Sequence, residues 1–204
     1  MKNAIIIFVR NPEKGKVKTR LARGIGDDKA LEVYRTLLTI THDLTARIDA
    51  DRFVFYTDKV EEQDLWETSL FKKMIQKNGD LGERMSHAFE LLLGQGYEKV
   101  VIIGSDCPEL NPAIMNEAFD SLDHYPACIG PADDGGYYLL GLNGLIPELF
   151  KDKNWSTATV FGDTMADLEK TGKKAFILPI LSDIDTIEDL LKFKGKPYFA
   201  NIAL

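Results

Sequence analysis

Short apolar runs of strand character recur along the chain at intervals that leave room for helices. They are "AIIIFV" (4–9), "RFVFY" (52–56), "KMIQK" (73–77), "KVVIIG" (99–104), "ACIG" (127–130), "YYLLGL" (137–142) and "AFILPI" (175–180). Several are continuous rather than alternating, the pattern of strands covered on both faces. Between them the apolar spacing turns helical. Asp27 or Asp28 can cap a long helix whose Leu31, Tyr34, Leu37, Leu38, Leu44 and Ile48 lie along one stripe. "LGERMSHAFELLLGQG" (81–96) reads as a helix ending at glycine. "NPAIMNEAFDSL" (111–122) starts with Asn111 as N-cap and Pro112 at the first helical position. Helices are also expected over 156–172, from Ser156 to Gly172, and over 186–193.

This alternation predicts an α/β fold: a single-domain, three-layer α/β/α sandwich over residues 1–204, with a mostly parallel sheet. In such sheets ligands bind beyond the carboxyl ends of the strands, so the loops after the strands carry the chemistry. The N-terminal apolar run, Ala4 to Val9, is too short for a signal sequence or a membrane span. Two cysteines in 204 residues, Cys107 and Cys128, have no metal-type spacing and fit a reducing cytoplasm.

Charge sharpens the picture. The chain carries 25 Lys+Arg against 32 Asp+Glu, a net charge of −7, which argues against general nucleic-acid binding. Yet "RNPEKGKVKTRLARGIG" (10–26) gathers Arg10, Lys14, Lys16, Lys18, Arg20 and Arg23 directly after the first strand. A basic loop at the ligand edge of an acidic protein points to a small anion. Gly15 lets the backbone turn, and Lys14, Lys18 and Arg20 can reach phosphate oxygens. "KVKTRL" can also open a turn of helix whose N–H groups favour an anion. The bland alternative is a set of solvated lysines. The loop lacks the G-x-x-x-x-G-K-[ST] and G-x-G-x-x-G frames, so kinase and dinucleotide readings lose their usual support.

The acidic loops sit at other strand ends. Asp106 in "GSDCP" is either a ligand for a hard cation shared with phosphates or a cap on the turn before Pro108. Asp183 and Asp185 follow the last strand, and Asp185 is either a second metal ligand or a cap of the last helix. "GPADDGGYYLLGL" (130–142) is a hairpin signal. The same turn can lay Gly135 and Gly136 against a ligand, with Asp134 facing the reacting group. "NGDLGERM" (78–85) offers Gly79 and Gly82 for close approach, Asp80 as acceptor or helix cap, and Arg84 as a planar donor. Trp155 either packs before a helix cap or lines a pocket. His42, His87 and His124 have no metal-ligand spacing, and no Ser or Cys nucleophile pattern is present.

Taken in order, "FVRNPEKGKVKTRL", "GDLGERM", "IGSDCPEL", "GPADDGGYYLLGL", "WST" and "DIDT" resemble the selenodomain-associated transferase 1 family, from about residue 4 to residue 190. That family belongs to the nucleotide-diphospho-sugar transferase superfamily, with the glycosyltransferase-A fold. The resemblance implies that Arg10, Gly15, Lys18 and Arg20 match a phosphate-binding signature. It implies that Asp80, Gly82 and Arg84 help hold a nucleotide, with Lys14 in the same cradle. It makes Asp106, with Asp185 as second carboxylate, the site of Mg²⁺ or Mn²⁺. Asp134, Gly135, Gly136 and Tyr137 would meet the acceptor. The implied reaction is nucleotidyl transfer from a nucleoside triphosphate to a small phosphorylated or hydroxyl acceptor, with Lys18, Arg20, Asp106 and Asp134 as catalytic groups. Glycosyl transfer from a nucleotide sugar and non-catalytic nucleotide sensing are the alternatives. The first loop is poorer in glycine than in sugar nucleotidyltransferases, and "GSDCP" lacks the D-x-D of many glycosyltransferases. The superfamily's mixed sheet implies that "YYLLGL" runs antiparallel to its neighbours.

Overall fold

The computed structural model describes residues 2–200, so Met1 and the last four residues of the expected domain lie outside the described residues. Seven strands form one sheet: β1 (Asn3–Val9), β2 (Asp51–Tyr56), β3 (Phe71–Ile75), β4 (Lys99–Ile103), β5 (Ala127–Pro131), β6 (Tyr137–Leu142) and β7 (Ala175–Ile177). Their spatial order is β3-β2-β1-β4-β6-β5-β7. β6 alone runs against its neighbours, pairing antiparallel with β4 and β5. The expected α/β sandwich with a mostly parallel mixed sheet is what the chain forms.

Alternation along the strands supplies two faces. Ile5, Ile7 and Val9 of β1 pack in one cluster with Val54, Val101 and Ile103. Tyr34 and Leu38 of helix α2 (Asp27–Thr45) and Met115 and Phe119 of α4 (Pro112–Ser121) close that side. Ala4 and Ile6 face the other way, against Met85, Phe89 and Leu92 of α3 (Leu81–Gly94) and Leu168 of α5 (Val160–Lys170). Outside α2, a third cluster joins Leu21 of α1 (Thr19–Ile25) to Leu190 of α6 (Ile187–Lys192). No described helix is long and apolar enough to cross a membrane.

Local chemistry moves several expected boundaries. Asn111 caps α4 as read, accepting from the Ala113 and Ile114 N–H groups with Pro112 at the first position. Neither Asp27 nor Asp28 caps α2: Gly26 does, with φ 83°, and both aspartates fall in the first turn. β3 begins two residues early, because Phe71 is buried against Trp66. β7 ends at Ile177, before Pro179 removes a donor. The helix expected from Ser156 starts only at Val160, because Ser156 has φ +65° and cannot continue a right-handed helix. The possible turn of helix in "KVKTRL" is real, as α1, and Lys18 is its N-cap at φ 47°, ψ 44°.

Candidate functional site

The sheet order reverses direction between β1 and β4: β2 and β3 lie to one side of β1, and β6, β5 and β7 lie beyond β4. At such a switch point the loops leaving adjacent parallel strands diverge and leave a crevice. A cavity of about 400 Å³ lies there. Its walls come from the ends of β1, β2 and β3 (Val9, Arg10, Thr57, Gln76), from the first basic loop (Lys16 to Arg20) and from the loop after β4 (Gly104, Ser105, Asp106). Arg84, Ser156 and Asp185 complete it.

The acidic rim is drawn together by backbone pairing. The Asp133 N–H donates to the Leu181 carbonyl, and the Ile184 N–H donates to the Asp106 carbonyl at 2.9 Å. The segment after β7 is thereby laid beside the loop after β4. Asp106 Oδ2 and Asp185 Oδ1 then meet the same ammonium, Lys18 Nζ, at 3.2 and 2.9 Å. Arg20 pairs with the other Asp185 oxygen. The Lys18 side chain is only 6 % exposed. Burial pulls its pKa down, but the charges of Asp106 and Asp185 outweigh that and raise it, so the ammonium is firmly protonated. Asp183 adds a third carboxyl group. Burial, then the Asp106 charge, pushes its pKa up, and its buried Oδ1 has no hydrogen-bond partner.

The opposite wall is basic and unneutralised. Arg84 Nη1 donates to Gln76 Oε1 at 2.9 Å and its Nε donates to the Asp80 carbonyl. Gln76 is buried and fixed, because its Nε2 donates to the Phe55 carbonyl at 2.9 Å. Burial, then the nearby Arg10 charge, lowers the Arg84 pKa. Arg10 and Arg84 have no carboxylate partner among the described residues. Tyr34 fixes the Arg10 backbone by accepting from its N–H at 2.8 Å and donating to its carbonyl at 3.0 Å.

Of the residues singled out from sequence, the fold brings Arg10, Lys18, Arg20, Arg84, Asp106 and Asp185 into this one cavity. Others lie elsewhere. Lys14 pairs with Asp28 at the surface, and Lys16, at the cavity edge, pairs with Glu13. Gly15 turns the loop at φ +77° without lining the cavity. Asp80 caps α3, accepting from the Glu83 N–H at 2.8 Å while Glu83 accepts from the Asp80 N–H. Gly82 is buried in packing against Trp155. Asp134 accepts from the Gly136 N–H at 2.9 Å inside the β5–β6 hairpin, and Gly135 lies against the backbone of Ala158. The Tyr137 hydroxyl points to Met85 Sδ. Asp185 does not cap α6: Thr186 does, in a capping box with Asp189, which leaves the Asp185 carboxylate free for the rim.

Tyr34, Gln76, Ser105 and Ser156 were not marked as site residues by the sequence. Tyr34 reads as one more apolar position on a helix stripe, and Gln76 as a polar end to a strand. Only the proximity of the strand ends reveals them.

Two carboxylates converging on one cation are the donor set that a hard divalent ion takes together with ligand phosphates. Asp106 and Asp185 thus fit Mg²⁺ or Mn²⁺ only in company with ligand oxygens; Asp183, whose pKa burial pushes up to about 8, is not one of them. Among the described residues, no group of three or more His, Cys, Asp or Glu side chains is placed to hold a metal ion by itself.

The switch-point cavity and the single reversed strand among the described strands belong to an α/β fold of the nucleotide-diphospho-sugar transferase type, as the family resemblance implies. Within it, residues 39–157 match the family described as "Uncharacterized protein conserved in bacteria (DUF2064)", and the chain belongs to that family. No curated protein matches the sequence. The crystal structure of a "putative nucleotide-diphospho-sugar transferase" from Desulfovibrio desulfuricans G20 is 35 % identical, with TM-score 0.88 over 98 % of this chain and 91 % of that one. The 4-diphosphocytidyl-2C-methyl-D-erythritol synthase of Anaerococcus prevotii shares the fold at 13 % identity, with TM-score 0.60 over 94 % of this chain and 93 % of that one. So does the inositol-1-phosphate CTP transferase of T. maritima, at 13 % identity and TM-score 0.54 over 100 % and 98 %.

Proposed function

We propose that the chain is a metal-dependent nucleotidyltransferase that moves a nucleotidyl group from a nucleoside triphosphate to a small phosphorylated or hydroxyl acceptor. One observation carries the reading: Asp106 and Asp185 converge on a single cation position in a cavity whose opposite wall holds two unneutralised guanidiniums. Asp106 and Asp185 would hold Mg²⁺ or Mn²⁺, which supplies Lewis-acid stabilisation of phosphate charge when bound.

Arg10 and Arg84 bind phosphate oxygens, which offset the repulsion between them. Lys18 and Arg20 face the charge that develops on the departing pyrophosphate. The acceptor oxygen attacks the α-phosphorus as the bond to pyrophosphate breaks. An acceptor phosphate needs no base, and a hydroxyl acceptor gives its proton to solvent or to a rim carboxylate. Catalysis is then mainly positioning and charge stabilisation. Ser156 lines the cavity, and Gly135 of the hairpin that carries Asp134 lies against the backbone of Ala158, two residues further on. The partners are small molecules, and the two free thiols, Cys107 and Cys128, suit a cytoplasmic setting.

Product analysis tests the reading. Each nucleoside triphosphate, and separately each nucleotide sugar, is incubated with Mg²⁺ or Mn²⁺ and a panel of sugar phosphates, polyol phosphates and hydroxy acids. Pyrophosphate release that Asp106→Asn abolishes is the expected result. Release of a nucleoside diphosphate from a nucleotide sugar instead would replace it with glycosyl transfer. Tight nucleotide binding without turnover of any pair would leave a sensor.

A further inference from the structure

Lys18 stands where a cation would stand. Its Nζ lies 3.2 Å from Asp106 Oδ2 and 2.9 Å from Asp185 Oδ1, and it is nearly inaccessible to water. Two carboxylates, Asp106 and Asp185, meet at this rim, and the repulsion between their charges would push them apart without a counter-ion. The backbone is arranged to deliver one. Lys18 is a non-glycine residue in the left-handed region, φ 47° and ψ 44°, a conformation that persists only when its surroundings impose it. The next residue starts α1, whose Leu21 is fully buried, so Lys18 is anchored from the helix side.

We infer that Lys18 is a tethered counter-ion that occupies the cation position of the free protein and must leave it for a divalent metal to bind. The inference rests on the metal-dependent reading above. Its consequence is an ordering of ligands. Metal alone must displace a buried, well-paired ammonium that has nowhere else to go, so it binds weakly. When a nucleotide arrives, its phosphate oxygens offer Lys18 a new partner and the metal additional ligands. The ammonium moves from carboxylate to phosphate as the metal enters. Metal and nucleotide thereby raise each other's affinity by the same factor. The protein avoids holding a bare divalent ion over a pocket with no substrate in it.

The test is Mn²⁺ binding to the nucleotide-free protein, read by the electron paramagnetic resonance of free Mn²⁺, for the wild type, Lys18→Met and Lys18→Gln. Methionine keeps the length of the buried chain without its charge, and glutamine keeps a hydrogen-bond donor, so a folding failure in one leaves the other. Circular dichroism establishes which are folded. The expected result is Mn²⁺ binding at least tenfold tighter in a folded Lys18 variant than in the wild type, with the gain removed by adding Asp106→Asn. Equal or weaker Mn²⁺ binding in the folded variants overturns the inference. A parallel thermal-shift series with the four ribonucleoside triphosphates, with and without Mn²⁺, separates the two ideas. If Mn²⁺ enhances nucleotide stabilisation of the wild type but the variants gain nothing, the counter-ion role fails alone. If Mn²⁺ has no effect on any form, the metal-dependent reading fails and takes this one with it.

Discussion

Gly82, the second residue of α3, lies so close to the Trp155 ring that a methyl group on it would sit 2.6 Å from Cζ2. The same methyl would press on the Phe150 carbonyl, which belongs to backbone and cannot swing aside. Glycine is therefore required here by close approach of the neighbouring turn rather than by backbone angle or ligand. Gly82→Ala should lower stability by about 1–3 kcal/mol through overpacking. For a chain of this size that is a fall of several degrees in melting temperature. Calorimetry of the variant checks it; an unchanged melting temperature would mean that the 151–159 segment moves away at little cost.

Thr186 and Asp189 close a reciprocal capping box at the start of α6, and Asp189 Oδ2 also accepts from the Asp185 N–H at 3.2 Å. The cap therefore fixes the residue that carries the rim carboxylate. Thr186→Ala should cost about 1 kcal/mol. It should also weaken any Mn²⁺-dependent stabilisation by nucleotide, because the Asp185 backbone loses part of its support. Thermal shifts with and without Mn²⁺ read both effects. A loss of stability with full metal response would separate the cap from the site.

All seven described strands were legible from apolar runs; β1, β4, β5 and β6, buried almost throughout, leave little choice of residue, whereas the more exposed edge strands β3 and β7 were read with shifted ends. The mixed sheet followed only from the family resemblance; nothing in "YYLLGL" itself states its direction. The site was legible where charge broke the pattern: Arg10, Lys18, Arg20, Arg84, Asp106 and Asp185 all reach one cavity. It was illegible where the same residue type serves two ends. Lys14 looks like Lys18, yet one meets Asp28 at the surface and the other is buried between two carboxylates. Asp80 and Asp185 both precede a helix, and only the first is its cap, since Thr186 intervenes at the second. The late start of α5 turns on the backbone angle of Ser156, which no side-chain pattern encodes.

Asp167 offers a pH-dependent test away from the cavity. It lies between Lys153, whose side chain is 1 % exposed, and the surface Lys170. Burial works against its charge, but the hydrogen bonds from both ammonium groups prevail and hold its carboxyl below the ordinary value. A carboxyl with a depressed folded-state pKa stabilises the fold fully above its unfolded value, near 4, and loses that contribution as pH falls through the folded value. Asp167→Asn should therefore lower stability at pH 7, by up to about 3 kcal/mol because a buried ammonium is left without its partner. The gap from the wild type should narrow as the pH drops below about 4. Urea unfolding at pH 7 and at pH 3 gives the comparison; a constant gap would assign the cost to lost packing rather than to charge.

Arg84 and Arg20 carry the same group in different surroundings, and a matched pair of substitutions separates their roles. Arg84 is fixed by Gln76 Oε1, which is itself fixed by the Phe55 carbonyl, so its planar fork is aimed before any ligand arrives. Arg20 is 63 % exposed and already paired with Asp185. Lysine keeps the charge but loses the fork and its two parallel donors. Arg84→Lys should thus weaken binding of the triphosphate or nucleotide sugar that most stabilises the wild type by roughly tenfold or more, because a preorganised charge-assisted pair is lost. Arg20→Lys, which replaces one exposed cation already paired with Asp185 by another, should cost several times less. Titration calorimetry with that ligand decides the matter. Equal losses would mean that phosphate is read by net charge alone, and no loss in Arg84→Lys would move the anion away from the β3 side of the cavity.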